Sequence, residues 1–246
     1  MYNEPKYLIA GDKAITVEFG NEIKEEINKL VRSMSYAINN KNIEGIVEII
    51  PTYRSISIQY NPLIISIEEL IDKLKEIHSN IDKVQLPPTK VIQIPTVYGG
   101  EYGPDIEFIA QHNNISVEEV IKLHTSVDYL IYMLGFTPGF TYLGGLPKEI
   151  ETPRLKTPRT KIPAGSTGIA GKQTGIYPIQ SPGGWQLIGR TPLKLYDPKR
   201  NPPIILNAGD YLRFVPIDER EYKEVLKLVE ENKYEISIKD KEQGRC

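Results

Sequence analysis

The stretch IPAGSTGIAGKQTGIYPIQSPGGWQLIGRTP, residues 162–192, decides how this chain is read. Glycine and proline recur every few residues, and the apolar pieces between them are short, as at 176–179 and 185–188. Glycine opens the backbone to tight turns and proline interrupts hydrogen-bonded ladders, so pieces this short read as strands joined by turns. The same bias runs outward on both sides: residues 135–209 hold 12 of the 19 Gly and 11 of the 19 Pro. Because apolar pieces alternate with the turn residues, this is not low-complexity sequence. A barrel or sandwich of short strands is expected.

Upstream the pattern changes. Residues 7–10 and 14–19 read as two strands around a Gly11-Asp12-Lys13 turn, and 45–50 with 55–60 as a second pair. Residues 21–40 carry Ile23, Ile27, Leu30, Met34 and Ile38 at helical spacing. A second helix over 66–78 opens with a capping box of Ser66 and Glu69. The order ββαββα predicts an α+β layer with both helices on one face of an antiparallel sheet. Residues 81–90, with Pro87-Pro88, read as a linker, which divides the chain into an N-terminal domain (1–85) and a mainly β domain (86–246). In the latter, 91–97 and 127–134 read as strands. Between them lie two short helices, one with Pro104 at its first position and one capped by Ser116 and Glu119. Strands at 204–206 and 211–215 flank a turn, and a helix runs from Asp218 to about Glu230.

A chain of 246 residues with 40% hydrophobic and 25% charged residues has the make-up of an ordinary globular protein. That excludes disordered, collagen-like and disulfide-scaffold classes. The single cysteine, Cys246, permits no intramolecular disulfide and no cysteine zinc cage, and the three histidines leave little for a metal site. The start lacks the basic-then-apolar run of a signal peptide. The longest uncharged stretch, 129–147, is broken by five glycines and prolines before its final Pro147, so no membrane span is expected. The expected location is the cytoplasm.

Charge is distributed unevenly. The net charge is −2, yet residues 152–196 contain Arg154, Lys156, Arg159, Lys161, Lys172, Arg190 and Lys194 and no Asp or Glu. Cations without neighbouring acids suit an anionic small ligand, an acidic protein face, or simply solvent. Nucleic acid is not expected, since the pI is about 6.0 and no nucleic-acid motif is present. HExxH, GxSxG and GxGxxG are all absent. Ser166-Thr-Gly-Ile-Ala-Gly171-Lys172-Gln173 approaches a phosphate-binding loop, but Ser stands for its first Gly and Gln for its final hydroxyl residue. Lys172 is better read on a β-turn. His124 falls in line with Val117, Val120 and Ile121, so it faces inward; it is either a core histidine or sits at the mouth of a cleft. Gly135-Phe-Thr-Pro-Gly-Phe-Thr-Tyr-Leu-Gly-Gly145 combines close backbone approach with aromatic walls, as a ligand loop or a barrel corner would.

That last motif, together with Pro153-Arg-Leu-Lys-Thr-Pro-Arg159, residues 162–171, Gln173-Thr-Gly-Ile-Tyr-Pro178 and residues 181–192, closely resembles the 5-oxoprolinase B-subunit family, also called KipI-like or allophanate hydrolase subunit 1. The resemblance extends over most of the chain and leaves out the polar tail after Lys239. It implies an N-terminal α+β domain followed by a cyclophilin-like β-barrel. It also implies a cytoplasmic complex with two further 5-oxoprolinase components, a KipA-like C subunit plus an A subunit, hydrolysing 5-oxoproline to glutamate with ATP cleavage. Alternatives within the resemblance are an allophanate or urea carboxylase-like component and an inhibitor of a sensor histidine kinase. A prolyl isomerase rests on fold analogy alone.

On the first reading, phosphorylation of the unreactive lactam carbonyl calls for cations and amide donors around anionic oxygens. Arg159 and Arg190 are candidate clamps, Gln173 and Gln186 candidate amide contacts, and Thr137, Pro138 and Gly139 a candidate backbone contact. His124 is the candidate general acid/base. No Mg²⁺ ligand set is apparent, so Mg²⁺ is expected to arrive with ATP or on a partner chain, leaving the isolated chain nearly inactive.

Overall fold

The computed structural model describes residues 1–241, and Cys246 lies outside them. The chain forms two units, Met1–Pro87 and a second beginning at Pro88.

In the first unit, β1 (Lys6–Ile9), β2 (Ala14–Glu18), α1 (Glu25–Lys41), β3 (Ile46–Pro51), β4 (Ser55–Tyr60) and α2 (Ile67–Ser79) follow in order. The strands form an antiparallel sheet ordered β1-β2-β4-β3. Strand alternation turns Ile15, Val17, Ile56 and Ile58 to one face. There they share a core with Ile27, Val31, Met34 and Ile38 of α1 and Leu70, Leu74 and Ile77 of α2. The Ser66–Glu69 capping box opens α2. Helix α1 begins later than its apolar spacing suggests, because Ile23 stays exposed and Glu25 and Glu26 occupy the first turn, where acids favour the helix dipole.

The second unit contains β5 (Lys90–Tyr98), α3 (Ile106–Asn113), α4 (Val117–Thr125), β6 (Tyr129–Leu134), β7 (Thr141–Gly144), β8 (Arg159–Ile162), β9 (Ser166–Ala170), β10 (Gln173–Ile176), β11 (Ser181–Gly183), β12 (Gln186–Arg190), β13 (Tyr211–Ile217), α5 (Glu219–Glu230) and β14 (Ile238–Asp240). Its main sheet runs β10-β9-β12-β5-β13-β6-β7. The end strands β10 and β7 come against each other without a ladder, so the sheet is a nearly closed barrel. Strand β5 is central: β13 lies parallel along one edge, while β14 and β12 share the other edge at opposite ends. Strands β8 and β11 form a separate two-stranded ribbon. Ile94, Ile131, Ile169, Ile188, Leu212 and Phe214 bury together, and α3 and α4 add Ile106, Ile109 and Val120 to the same core.

Two sequence expectations change here. Residues 204–206 form no strand; Ile204 makes only an isolated bridge to Tyr196. Pro202 and Pro203 supply no backbone donor, and Arg200 takes both of their carbonyls together with those of Lys194 and Leu195. Helix α3 starts at Ile106, two residues after Pro104, and its N-cap Asp105 makes no capping bond because its carboxylate is used elsewhere. Among the described residues no helix is long and apolar enough to cross a membrane.

Candidate functional site

The β6–β7 connection is a tight turn. Gly135 N–H donates to Phe140 O, Thr137 N–H to Gly135 O, and Phe140 N–H to Thr137 O. Gly139 is buried at φ +81, where a Cβ would crowd Pro178 and Tyr196, so only glycine suits the position. Phe136 has φ +60 and stands 69% exposed at the tip. A bulky residue in that region is uncommon, and such strain concentrates at functional sites. Below the tip, Phe140 meets Tyr142, Tyr177 and Trp185 edge to face, with ring centroids 5.2, 5.9 and 5.7 Å away. Gly183 closes the far side, and a Cβ there would collide with the Tyr177 hydroxyl. These groups enclose a cup of about 240 Å³, whose polar lining comes from Arg154 and Gln173.

Among the described residues no carboxylate lines the cup. Burial pushes the Tyr177 hydroxyl pKa up, and a backbone hydrogen bond with Trp185 and the charges of Arg154 and Arg159 partly oppose that rise. The segment carrying Arg154 is tied to the cup on both sides. Gln186 Nε2 donates to Pro153 O at 3.0 Å, and Leu155 N–H donates to Gly184 O at 2.8 Å.

The expected site residues separate. Gln173 lies in the cup. Gln186 is buried and spends its amide on Pro153. Arg159 is no unspent clamp: its Nη2 reaches Asp105 Oδ1 at 2.7 Å and its Nη1 donates to Trp185 O at 3.2 Å. The other oxygen of Asp105 accepts from Leu187 N–H at 2.6 Å, so the pair braces the strand behind the cup. Arg190 lies over the Tyr102 ring, 5.4 Å from its centroid, and does not join Arg159. Thr137 uses its N–H and C=O inside the turn, Pro138 is exposed and Gly139 is packed away. Lys172 sits on the β9–β10 hairpin turn beside Gly171, at φ +60.

His124 is sealed at 0% exposure. Thr174 Oγ1 donates to Gly168 O, so it accepts from His124 Nε2–H at 2.8 Å, and Tyr98 O–H donates to Nδ1 at 2.8 Å. Burial lowers the imidazole pKa to about 3. With both ring nitrogens engaged and the ring neutral, His124 has no atom left for a substrate; of the two readings, the geometry matches the core histidine.

Among the described residues no three His, Cys, Asp or Glu side chains group as a metal site. A larger recess of about 610 Å³ lies between residues 193–205 and the chain after α5. Its arginine, Arg200, is committed to backbone carbonyls, and Asp197 offsets its lysines. The cup therefore offers the clearer chemistry.

The family model for the carboxyltransferase domain, subdomain C and D, matches residues 5–206. The 5-oxoprolinase B subunit of Bacillus subtilis (strain 168) is 45% identical over 222 residues, covering 86% of this chain and 92% of that protein. The protein of the same name from Escherichia coli O157:H7 is 42% identical, covering 87% of this chain and 96% of that protein. The chain belongs to the 5-oxoprolinase B-subunit family. The crystal structure of the K. lactis urea amidolyase matches 96% of this chain and 16% of its own with a TM-score of 0.77; at 23% identity that is a likeness of fold. In this member of the 5-oxoprolinase B-subunit family, sequence reasoning did not single out Arg154, Tyr142, Tyr177 and Trp185, which line the cup. Each lies within a quoted motif, and Arg154 opens the acid-free run of cations.

Proposed function

We propose that this chain is the B subunit of a cytoplasmic, ATP-dependent 5-oxoprolinase that opens 5-oxoproline to glutamate. The observation that carries the reading is 45% identity to a protein named as a 5-oxoprolinase B subunit, over 92% of that protein's length. The partners in this reading are a KipA-like C subunit plus an A subunit. The two units are read as two domains meeting near residue 85, the second a cyclophilin-like barrel.

The chemistry of the cup suits a binding share in the reaction. Aromatic walls exclude water from the faces of a small ring, Arg154 brings a positive charge and Gln173 an amide. The residues at hand do not fit a metal–nucleotide site, because among the described residues no carboxylate lines the cup and Lys172 sits on a hairpin turn rather than in a phosphate-binding loop. ATP and Mg²⁺ are therefore assigned to the partner side, and this chain's share of the reaction is to bind and orient the ring. The urea-derivative alternative has weaker support, from urea amidolyases 24–26% identical to this chain and from the likeness of fold.

The test is glutamate release from 5-oxoproline and ATP by this chain co-purified with the C and A subunits. Activity is expected from the full assembly, and none from any mixture lacking this chain or from this chain alone. Full activity of the isolated chain would overturn the division of labour. An assembled complex that releases no glutamate would overturn the substrate and leave another amide, or kinase inhibition, as the function.

A further inference from the structure

We infer that the aromatic cup is a site for a small ring bearing one carboxylate and no positive charge, with Arg154 holding the carboxylate. This deepens the proposed function and rests on it for the identity of the ring. Arg154 is exposed at the mouth of the cup and enters no ion pair among the described residues, whereas Arg159 is paired with Asp105. Its charge is felt at the Tyr177 hydroxyl inside the cup. Its backbone is held on both sides, through Pro153 O and Leu155 N–H, so the guanidinium projects from an anchored segment. A planar guanidinium presents paired donors that match the two oxygens of a carboxylate. Rings of Phe140 and Trp185 supply apolar walls, and Phe136 supplies a lip.

The lining also sets what is refused. L-Proline has the same ring and carboxylate but carries an ammonium, which would enter an apolar cup beside an arginine with no acid to pair it. A lactam nitrogen is neutral and meets no such penalty. A neutral lactam without a carboxylate gives Arg154 nothing to hold. Discrimination thus comes from a repulsive element as much as from an attractive one.

Trp185 is the chain's one tryptophan and lines the cup, so its emission reports occupancy directly. The full chain, alone and in the assembled complex, is titrated with 5-oxo-L-proline, L-proline and 2-pyrrolidinone. A saturable change is expected with 5-oxo-L-proline and at least tenfold weaker response with the other two. Arg154→Ala is expected to raise the Kd for 5-oxo-L-proline at least tenfold, and Lys161→Ala, which removes an exposed cation elsewhere in the same stretch, to leave it unchanged. Circular dichroism and thermal melting of Arg154→Ala are expected to match the wild type, since the side chain is exposed.

Equal binding by proline or pyrrolidinone, unchanged affinity in Arg154→Ala, or no response from chain and complex alike would overturn the inference. Glutamate release separates the two readings. If the wild-type complex is active and the Arg154→Ala complex keeps its KM, the cup assignment falls and the enzyme reading stands. If the complex is inactive while 5-oxo-L-proline still binds through Arg154, the enzyme reading falls and the cup stands.

Discussion

Two ring clusters in the barrel unit look alike in composition and differ in what they have left unspent. Inside, His124 lies 4.3 Å from the Phe214 ring and 5.5 Å from Tyr129. Its nitrogens bind Tyr98 and Thr174, and Tyr129 O–H donates to its carbonyl at 2.9 Å. Outside, Phe140, Tyr142, Tyr177 and Trp185 surround a void with a cation at its mouth. The inner cluster has the residue type most associated with catalysis, but its hydrogen bonds are closed and its proton affinity is suppressed. The outer one has no histidine, yet it has space and, among the described residues, a charge outside any ion pair. A titratable group among aromatic rings is a site only where volume and bonding capacity remain.

The sharpest way to break this contrast is His124→Leu. It strands the partly buried Tyr98 hydroxyl without its acceptor at a fully buried position and removes the ring contacts, for an expected loss of about 3 kcal/mol. Urea denaturation measures it, and affinity of the surviving folded protein for 5-oxo-L-proline is expected to stay at the wild-type value. The pH dependence adds a second reading. The unfolded chain protonates this histidine near 6.5, while the folded one holds it neutral to about pH 3. Between those values the unfolded state binds the extra proton, so this contribution to stability is complete above about pH 6.5 and is lost as pH falls, by up to about 1.4 kcal/mol per unit. His124→Leu is expected to flatten that acid limb. An unchanged limb, or a loss of ligand affinity in folded protein, would return His124 to the site.

The brace behind the cup is the next test. Arg159→Ala leaves Asp105 with Leu187 N–H and no cation, and it frees the Trp185 carbonyl. The side chains are 29% and 13% exposed, so the expected loss is about 2 kcal/mol, below that of a fully buried pair. As a positioning residue, Arg159 is expected to act on binding alone, so its loss raises the KM of the assembled complex for 5-oxoproline while kcat is kept. A change in stability with no change in KM would make the pair purely structural.

How far the sequence discloses this arrangement follows from what kind of signal each feature leaves. Periodicity exposes Ile27, Val31, Met34 and Ile38 because one helix face meets one sheet. Capping at Ser66 is equally visible because its partner, Glu69, is three residues away. Long-range commitments leave no such trace. That Asp105 abandons its cap for Arg159, or that Gln186 is spent on Pro153, depends on contacts between residues far apart in the chain. Arginines 154 and 159 are equivalent in composition, and only the fold shows which has a partner. Seven of the cup's ten lining residues come from the acid-free run at 152–196, and Phe136, Phe140 and Tyr142 come from the uncharged loop before it.

The smallest expected effect concerns Phe136. At φ +60 any side chain with a β-carbon is strained by about 1 kcal/mol, and at this exposed tip little burial offsets it. Phe136→Ala keeps the strain and loses the ring; Phe136→Gly loses both. The glycine variant is therefore expected to be the more stable of the two, by no more than about 0.5 kcal/mol in urea denaturation, once the glycine's greater unfolded-state freedom is counted against the relieved strain. If the ring serves as the lip of the cup, both variants lose affinity for 5-oxo-L-proline to the same extent, a few-fold by Trp185 fluorescence. Affinity that instead tracks stability across Phe136, Ala and Gly would mean that the strained backbone, and not the ring, shapes the mouth of the cup. In that case the outer cluster would be held open by main-chain geometry, whereas the inner one is held shut by its side-chain hydrogen bonds.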